Sequence, residues 1–356
     1  MEKRFGIKVL GLITVAAIVL GVISLPFTAP AESAADQTIN GTLYYSDESV
    51  YEGDILNERI RNGTGSFTWS TGEIYSGEWE NDIINGEGTL TWPGLGVYEG
   101  DFVNGKREGR GTFTWTYEGE PEDGYPVSYE GEWTEDQIGP TGTLILAGIG
   151  TYTGEFSRQM RNGEGTFTWT NGDIYSGKWS NDLIHGEGTL ITADNTILDG
   201  TFYQGYLANG TITYPVNGGS AVRNVNNARV LEGATITYQD GTIVKGNIRN
   251  KEFYGNVTIT YANGDIYVGT LKDGLKDGKG IYTWRSGAHY SGAWSEDKMN
   301  GEGIYYYSSN ERILYLSGTF QAGSPAGTLT YVGDNGLKYK TTWKNGSCIN
   351  IQYQGR

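Results

Sequence analysis

Tyr75-Ser76-Gly77-Glu78-Trp79-Glu80-Asn81-Asp82-Ile83-Ile84-Asn85-Gly86-Glu87-Gly88-Thr89-Leu90-Thr91-Trp92 is the stretch whose reading decides the fold. Large or glycine positions alternate with polar ones at a period of two, the pattern of a strand with one buried face. Tyr75, Gly77 and Trp79 fall on one side and are joined there by Gly88, Leu90 and Trp92, while Ser76, Glu78, Thr89 and Thr91 fall on the other. The stretch therefore predicts a β-hairpin with an aromatic-and-glycine face and a polar face.

Near-copies begin at Tyr152 and Tyr175, and the chain aligns on itself with a 23-residue period. Units start at Tyr51, Tyr75, Tyr98, Tyr129, Tyr152, Tyr175, Leu198, Ala221, Val244, Tyr267, Tyr290 and Leu316, with a final half-unit from Tyr339; every interval from Tyr129 to Tyr290 is 23 residues. Gly41-Thr42-Leu43-Tyr44-Tyr45 matches the second half of a unit. A fixed period of this length marks a repeat architecture, each unit burying its apolar face on its neighbours. Asn-Gly at 62–63, 85–86, 162–163, 171–172, 263–264 and 300–301 reads as hairpin-turn chemistry. The paired glycines are expected to leave slots over which aromatic rings lie. The expected fold class is all-β: an elongated single-layer antiparallel β-ribbon of about twelve stacked hairpin repeats, preceded by one N-terminal apolar helix.

Composition agrees. Glycine supplies 56 of 356 residues, about twice the ordinary ~7%. Tyrosine, tryptophan and phenylalanine number 26, 10 and 10 against 8 prolines, which argues against both collagen and disorder. The net charge is −16, and −18 past residue 31. No basic surface is left for nucleic acid, and direct docking of the repeats on anionic lipid is disfavoured. The single cysteine, Cys348, excludes an intramolecular disulfide and a cysteine-rich zinc site.

Residues 1–31 have the layout of a targeting segment: Lys3, Arg4 and Lys8, an uncharged apolar run from Val9 to Leu25, then Pro26 and Ala29-Pro30-Ala31. Either a signal peptide cleaved after Ala31 or an uncleaved single-pass anchor fits, and both export the rest of the chain. The expected organisation is this segment at 1–31, a polar linker at 32–38, the repeat array at 39–346 (degenerate at about 198–243) and a tail at 347–356. Expected localisation is extracytoplasmic, anchored in the cell membrane or secreted.

Chemistry is sparse. His185 and His289 each replace a residue that is structural in the other units. Glu87, Glu164, Glu187 and Glu302 sit between paired glycines about one repeat apart, ~10 Å, too far for a close catalytic pair and too sparse for calcium. Glu118, Glu120, Glu122 and Asp123 lie in a lengthened Tyr98 unit, either a solvated loop or a partner contact. No catalytic residue, metal ligand or cofactor is expected. The candidate binding surface is the aromatic face: Tyr75, Trp79, Trp92, Trp115, Trp133, Trp169, Tyr175, Trp179, Trp284 and Trp294. With Trp69, the tryptophans occupy only two repeat slots. They either stack as the core of the array or line a groove for a sugar polymer, an extended peptide or a quaternary ammonium group.

Tyr-x-Gly-x-Trp-x-Asn-Asp-x-x-x-Gly-x-Gly-x-Leu, as at Tyr75 to Leu90 and Tyr175 to Leu190, resembles the MORN (membrane occupation and recognition nexus) repeat over about residues 39–346. The resemblance implies a ribbon of stacked hairpins serving as a scaffold, a dimerisation surface or a membrane-contact module, with no catalytic activity of its own. The expected function is a non-enzymatic, exported, membrane-tethered scaffold for protein–protein interaction or self-association at the cell envelope. The partner is then an unknown envelope protein. The alternative is a wall-polymer or peptide-binding module using the aromatic groove.

Overall fold

The computed structural model describes residues 36–249, 252–307, 314–333 and 336–355. They contain 28 strands and, among the described residues, no helix. The expected apolar helix at Val9–Leu25 lies outside the described residues. Two compact units divide the chain: Met1–Asp194 with Asp199–Leu207, and Asn195–Leu198 with Ala208–Arg356. Within each unit the sheet is open and antiparallel, and successive strands of the chain are neighbours in it. The all-β reading holds.

The quoted stretch folds as Ile74–Glu80 paired with Ile83–Trp92, with Tyr75 opposite Leu90, Gly77 opposite Gly88 and Trp79 opposite Ile84. Burial follows the alternation: Tyr75, Trp79, Ile84, Leu90 and Trp92 are buried, while Ser76, Glu78 and Glu87 are exposed. The turn, however, is Asn81-Asp82, with φ of 50° and 68°. Asn85-Gly86 lies inside the second strand instead, where Asn85, Gly86 and Glu87 all oppose Glu78 in a bulge. The same correction applies to Asn62-Gly63, Asn162-Gly163 and Asn300-Gly301, whereas 171–172 and 263–264 do lie in hairpin loops.

The physical reason is specific. A two-residue hairpin turn needs left-handed backbone at both positions, which Asn-Asp tolerates. Glycine is required at the bulge because Gly86 has φ 108° and a Cβ there would collide with the Glu78 side chain. The asparagine before it then accepts a hydrogen bond from the next turn: Asn85 Oδ1 from the Asn104 N–H, 3.1 Å.

The paired glycines form the seat for a tyrosine. A Cβ on Gly88 would overlap the Tyr75 ring, and one on Gly77 would meet the Tyr75 hydroxyl and the backbone of Glu87 and Gly88, so the ring lies over the pair. The Tyr75 hydroxyl donates to the Glu78 carbonyl at 2.9 Å, so its buried oxygen is satisfied. Tyr51, Tyr98, Tyr129, Tyr152, Tyr175, Tyr267 and Tyr290 repeat this arrangement, and every one is fully buried. Rings over bare backbone therefore make the core. In the degenerate region Ala221 takes the tyrosine slot and packs with Ala234, Ile236 and Ile248, and the ladder continues: Ala221 remains paired with Ile236.

Candidate functional site

The structure separates the predicted aromatic residues into two populations. Trp79, Trp133, Trp179 and Trp294 are buried, and each indole N–H donates to the carbonyl of a glycine seating a tyrosine: Gly65, Gly111, Gly165 and Gly280, at 3.1, 3.0, 3.1 and 3.1 Å. Tyr75 and Tyr175 are buried over their glycine pairs, and Trp92 is also buried. Trp69, Trp115, Trp169 and Trp284 are half-buried and sit where a strand enters a hairpin loop. Nearly all the predicted residues thus pack against rings of the array itself, and only the second population keeps open indole surface.

A cation covers each tryptophan of the buried slot. The Arg61, Arg107 and Arg161 guanidiniums lie 4.3, 4.5 and 4.6 Å over the rings of Trp79, Trp133 and Trp179, and Lys276 Nζ lies 5.5 Å from Trp294. The turn aspartate completes the clamp. Asp82, Asp136, Asp182 and Asp297 pair with those cations at 3.1, 3.2, 3.0 and 2.9 Å. Each arginine also donates to the carbonyl of its aspartate. Burial pushes the Arg107 and Arg161 pKa values down from the ordinary arginine value, and the facing aspartates oppose the shift.

These clamps recur in every second hairpin of the first unit. Between them the same two slots hold Ile84 with Phe102, and Ile138 with Phe156. The true period there is therefore two hairpins. Sequence reasoning stopped at the 23-residue unit, although the Trp/Phe and Arg/Ile alternations were visible.

The half-buried row follows the two-hairpin period. Trp69, Trp115 and Trp169 each stand against one phenylalanine, Phe67, Phe113 and Phe167, at 4.6, 4.7 and 4.6 Å between ring centres. The intervening positions, Trp92 and Leu146, are closed. The lengthened hairpin follows Trp115. Its four acids are exposed, Tyr125 is 46% exposed, and Tyr117 meets Tyr125 edge-on while donating to the Pro126 carbonyl at 2.7 Å. On the outer face His289 stacks on Tyr306 at 4.3 Å, and His185 lies 5.4 Å from Tyr203. Among the described residues no group of His, Cys, Asp and Glu could hold a metal ion.

The MORN-repeat family model matches seven segments: 60–74, 75–96, 98–116, 152–174, 175–197, 267–289 and 290–312. The chain carries seven MORN repeats between residues 60 and 312. Six of the matched MORN segments begin at or next to a glycine-seated tyrosine, namely Tyr75, Tyr98, Tyr152, Tyr175, Tyr267 and Tyr290. The buried clamp thus decorates the MORN repeat at alternate units. No curated protein matches the sequence. Among solved structures, the crystal structure of BamB from Moraxella catarrhalis matches 87% of this chain and 100% of that one, at 9% identity and a TM-score of 0.11. A likeness that slight carries no argument. No helix among the described residues is long and apolar enough to cross a membrane.

Proposed function

We propose that this MORN-repeat chain is a non-enzymatic scaffold for protein–protein interaction or self-assembly, exported and tethered to the cell membrane through Val9–Leu25. The observation that carries the scaffold reading is that the repeats consume their own rings as core, so each added hairpin extends the outer surface at little cost to its neighbours. Export and tethering are supported by the basic start and apolar run of residues 1–31. The charge of −18 past residue 31 supports a protein or neutral partner over nucleic acid or anionic lipid.

Crosslinking in intact cells, followed by fractionation and external protease treatment, tests this reading. The expected result is membrane-bound protein, degraded from outside and crosslinked to a defined partner or to itself. A chain found only in the cytoplasm would overturn the export half. A chain that crosslinks to nothing would overturn the scaffold half.

A second reading is a polymer- or peptide-binding module. The half-buried row supports it, because indoles that pack against one ring keep surface to offer.

A further inference from the structure

We infer that Trp69, Trp115 and Trp169 form a three-point binding row for a neutral polysaccharide chain. The inference deepens the second reading above and is independent of the scaffold one.

Three observations converge. First, these indoles are poorly enclosed where their counterparts are sealed. Trp179 meets Tyr152, Phe167 and Tyr175 and lies beneath Arg161, whereas Trp169 meets only Phe167 among the described rings. A half-buried indole packed on one ring is held in place yet keeps part of its surface in solvent, and such surface can take the C–H face of a pyranose. Second, the row is periodic. Two hairpins separate successive open indoles, a step of about 19 Å at the usual ~4.8 Å between strands. One polymer can then occupy several weak points at once and gain by effective concentration. A glycan, jointed at each linkage, can also follow a twisted sheet.

Third, each open indole abuts a hairpin loop bearing polar side chains, with a half-buried carboxylate in the loop after Trp69 and exposed ones after Trp115. Ser70, Thr71 and Glu73 follow Trp69, and Thr170 and Asn171 follow Trp169. The central indole adjoins the lengthened loop, with Tyr125 exposed beside Glu122 and Asp123. Such groups fix sugar hydroxyls, and their acid excess repels anionic polymers. A peptide is less well served. The strands on this face already pair with both neighbours, so no main-chain ladder is open to a peptide there, as strand addition requires.

The test is affinity electrophoresis of the full chain through gels containing hydroxyethylcellulose, xylan or glucomannan, with polygalacturonate as the anionic control. Retardation by at least one neutral glycan and not by polygalacturonate is expected. Replacing one of Trp69, Trp115 or Trp169 by alanine should weaken retention about 2- to 12-fold. The triple variant should migrate as it does without glycan while keeping its circular dichroism. Should that variant fail to fold, the unsubstituted chain still decides: the retarding glycan must shield part of its indole fluorescence from iodide quenching. The inference is overturned by free migration in all three neutral gels, by full retention of a folded triple variant, or by unchanged quenching. Peptide binding at these indoles without glycan binding also overturns it. None of these outcomes touches the crosslinking result that tests the scaffold.

Discussion

The guanidinium of Arg161 lies 4.6 Å over the indole of Trp179 and pairs with Asp182 at 3.0 Å. The arginine comes from one hairpin and both partners from the next, so the clamp bolts hairpins together. Its side chain is only 3% exposed. Asp182→Ala therefore strands a buried charge and should cost about 3–5 kcal/mol. Chemical denaturation followed by tryptophan fluorescence measures this. A loss under about 1 kcal/mol would show that the ion pair is solvent-screened.

The alternation of clamped and unclamped hairpins predicts coupling. Arg161→Ile or Trp179→Phe alone breaks the clamp, whereas together they recreate the pairing found at Ile138 and Phe156. The double variant should be more stable than the sum of the single losses by about 1–3 kcal/mol, read from a double-mutant cycle. Strict additivity would mean that the two slots do not communicate.

The tyrosine seat predicts asymmetric sensitivity. Gly88→Ala places a methyl 2.5 Å from Cε2 and 2.6 Å from Cζ of Tyr75 and should cost about 3 kcal/mol or prevent folding. Tyr75→Phe keeps the ring and loses only the hydrogen bond to the Glu78 carbonyl, about 1 kcal/mol. Thermal melts of the two variants should differ plainly, and equal losses would contradict the seating geometry.

Alkali should unfold the array cooperatively. Burial pushes the pKa of Tyr51, Tyr267 and Tyr290 from 10.0 up to about 12, and those of Tyr75, Tyr98, Tyr129, Tyr152 and Tyr175 upward as well. The folded state holds these protons more tightly than the unfolded state does. Their contribution to stability is fully present below pH 10 and is lost as the pH rises through about 12. Tyrosinate absorbance and circular dichroism should therefore change together in that window. Ionisation near pH 10 with the fold intact would show the rings to be accessible.

Much of the fold was legible because a period of two and a period of 23 are properties of the chain itself. Tyr75, Gly77 and Trp79 announce a buried face wherever they recur, and the glycine pair announces a ring lying over it. The turns were half legible. Asn85-Gly86 carries hairpin chemistry, but the same chemistry serves a bulge, and only the register of Trp79 opposite Ile84 tells the two apart. The aromatic row was legible as a row and not as two populations.

The sequence by itself determined the all-β class, the hairpin unit and the MORN type of the matched repeats, since each follows from residue types at fixed spacing. Tertiary structure alone decided which tryptophans are sealed and which stay open. Trp179 and Trp169 belong to neighbouring hairpins and are equally apolar. One is closed by Arg161, Asp182 and three rings, while the other meets a single phenylalanine. Burial of a side chain depends on what the adjacent strands bring across the ladder, and that neighbourhood exists only once the strands are paired.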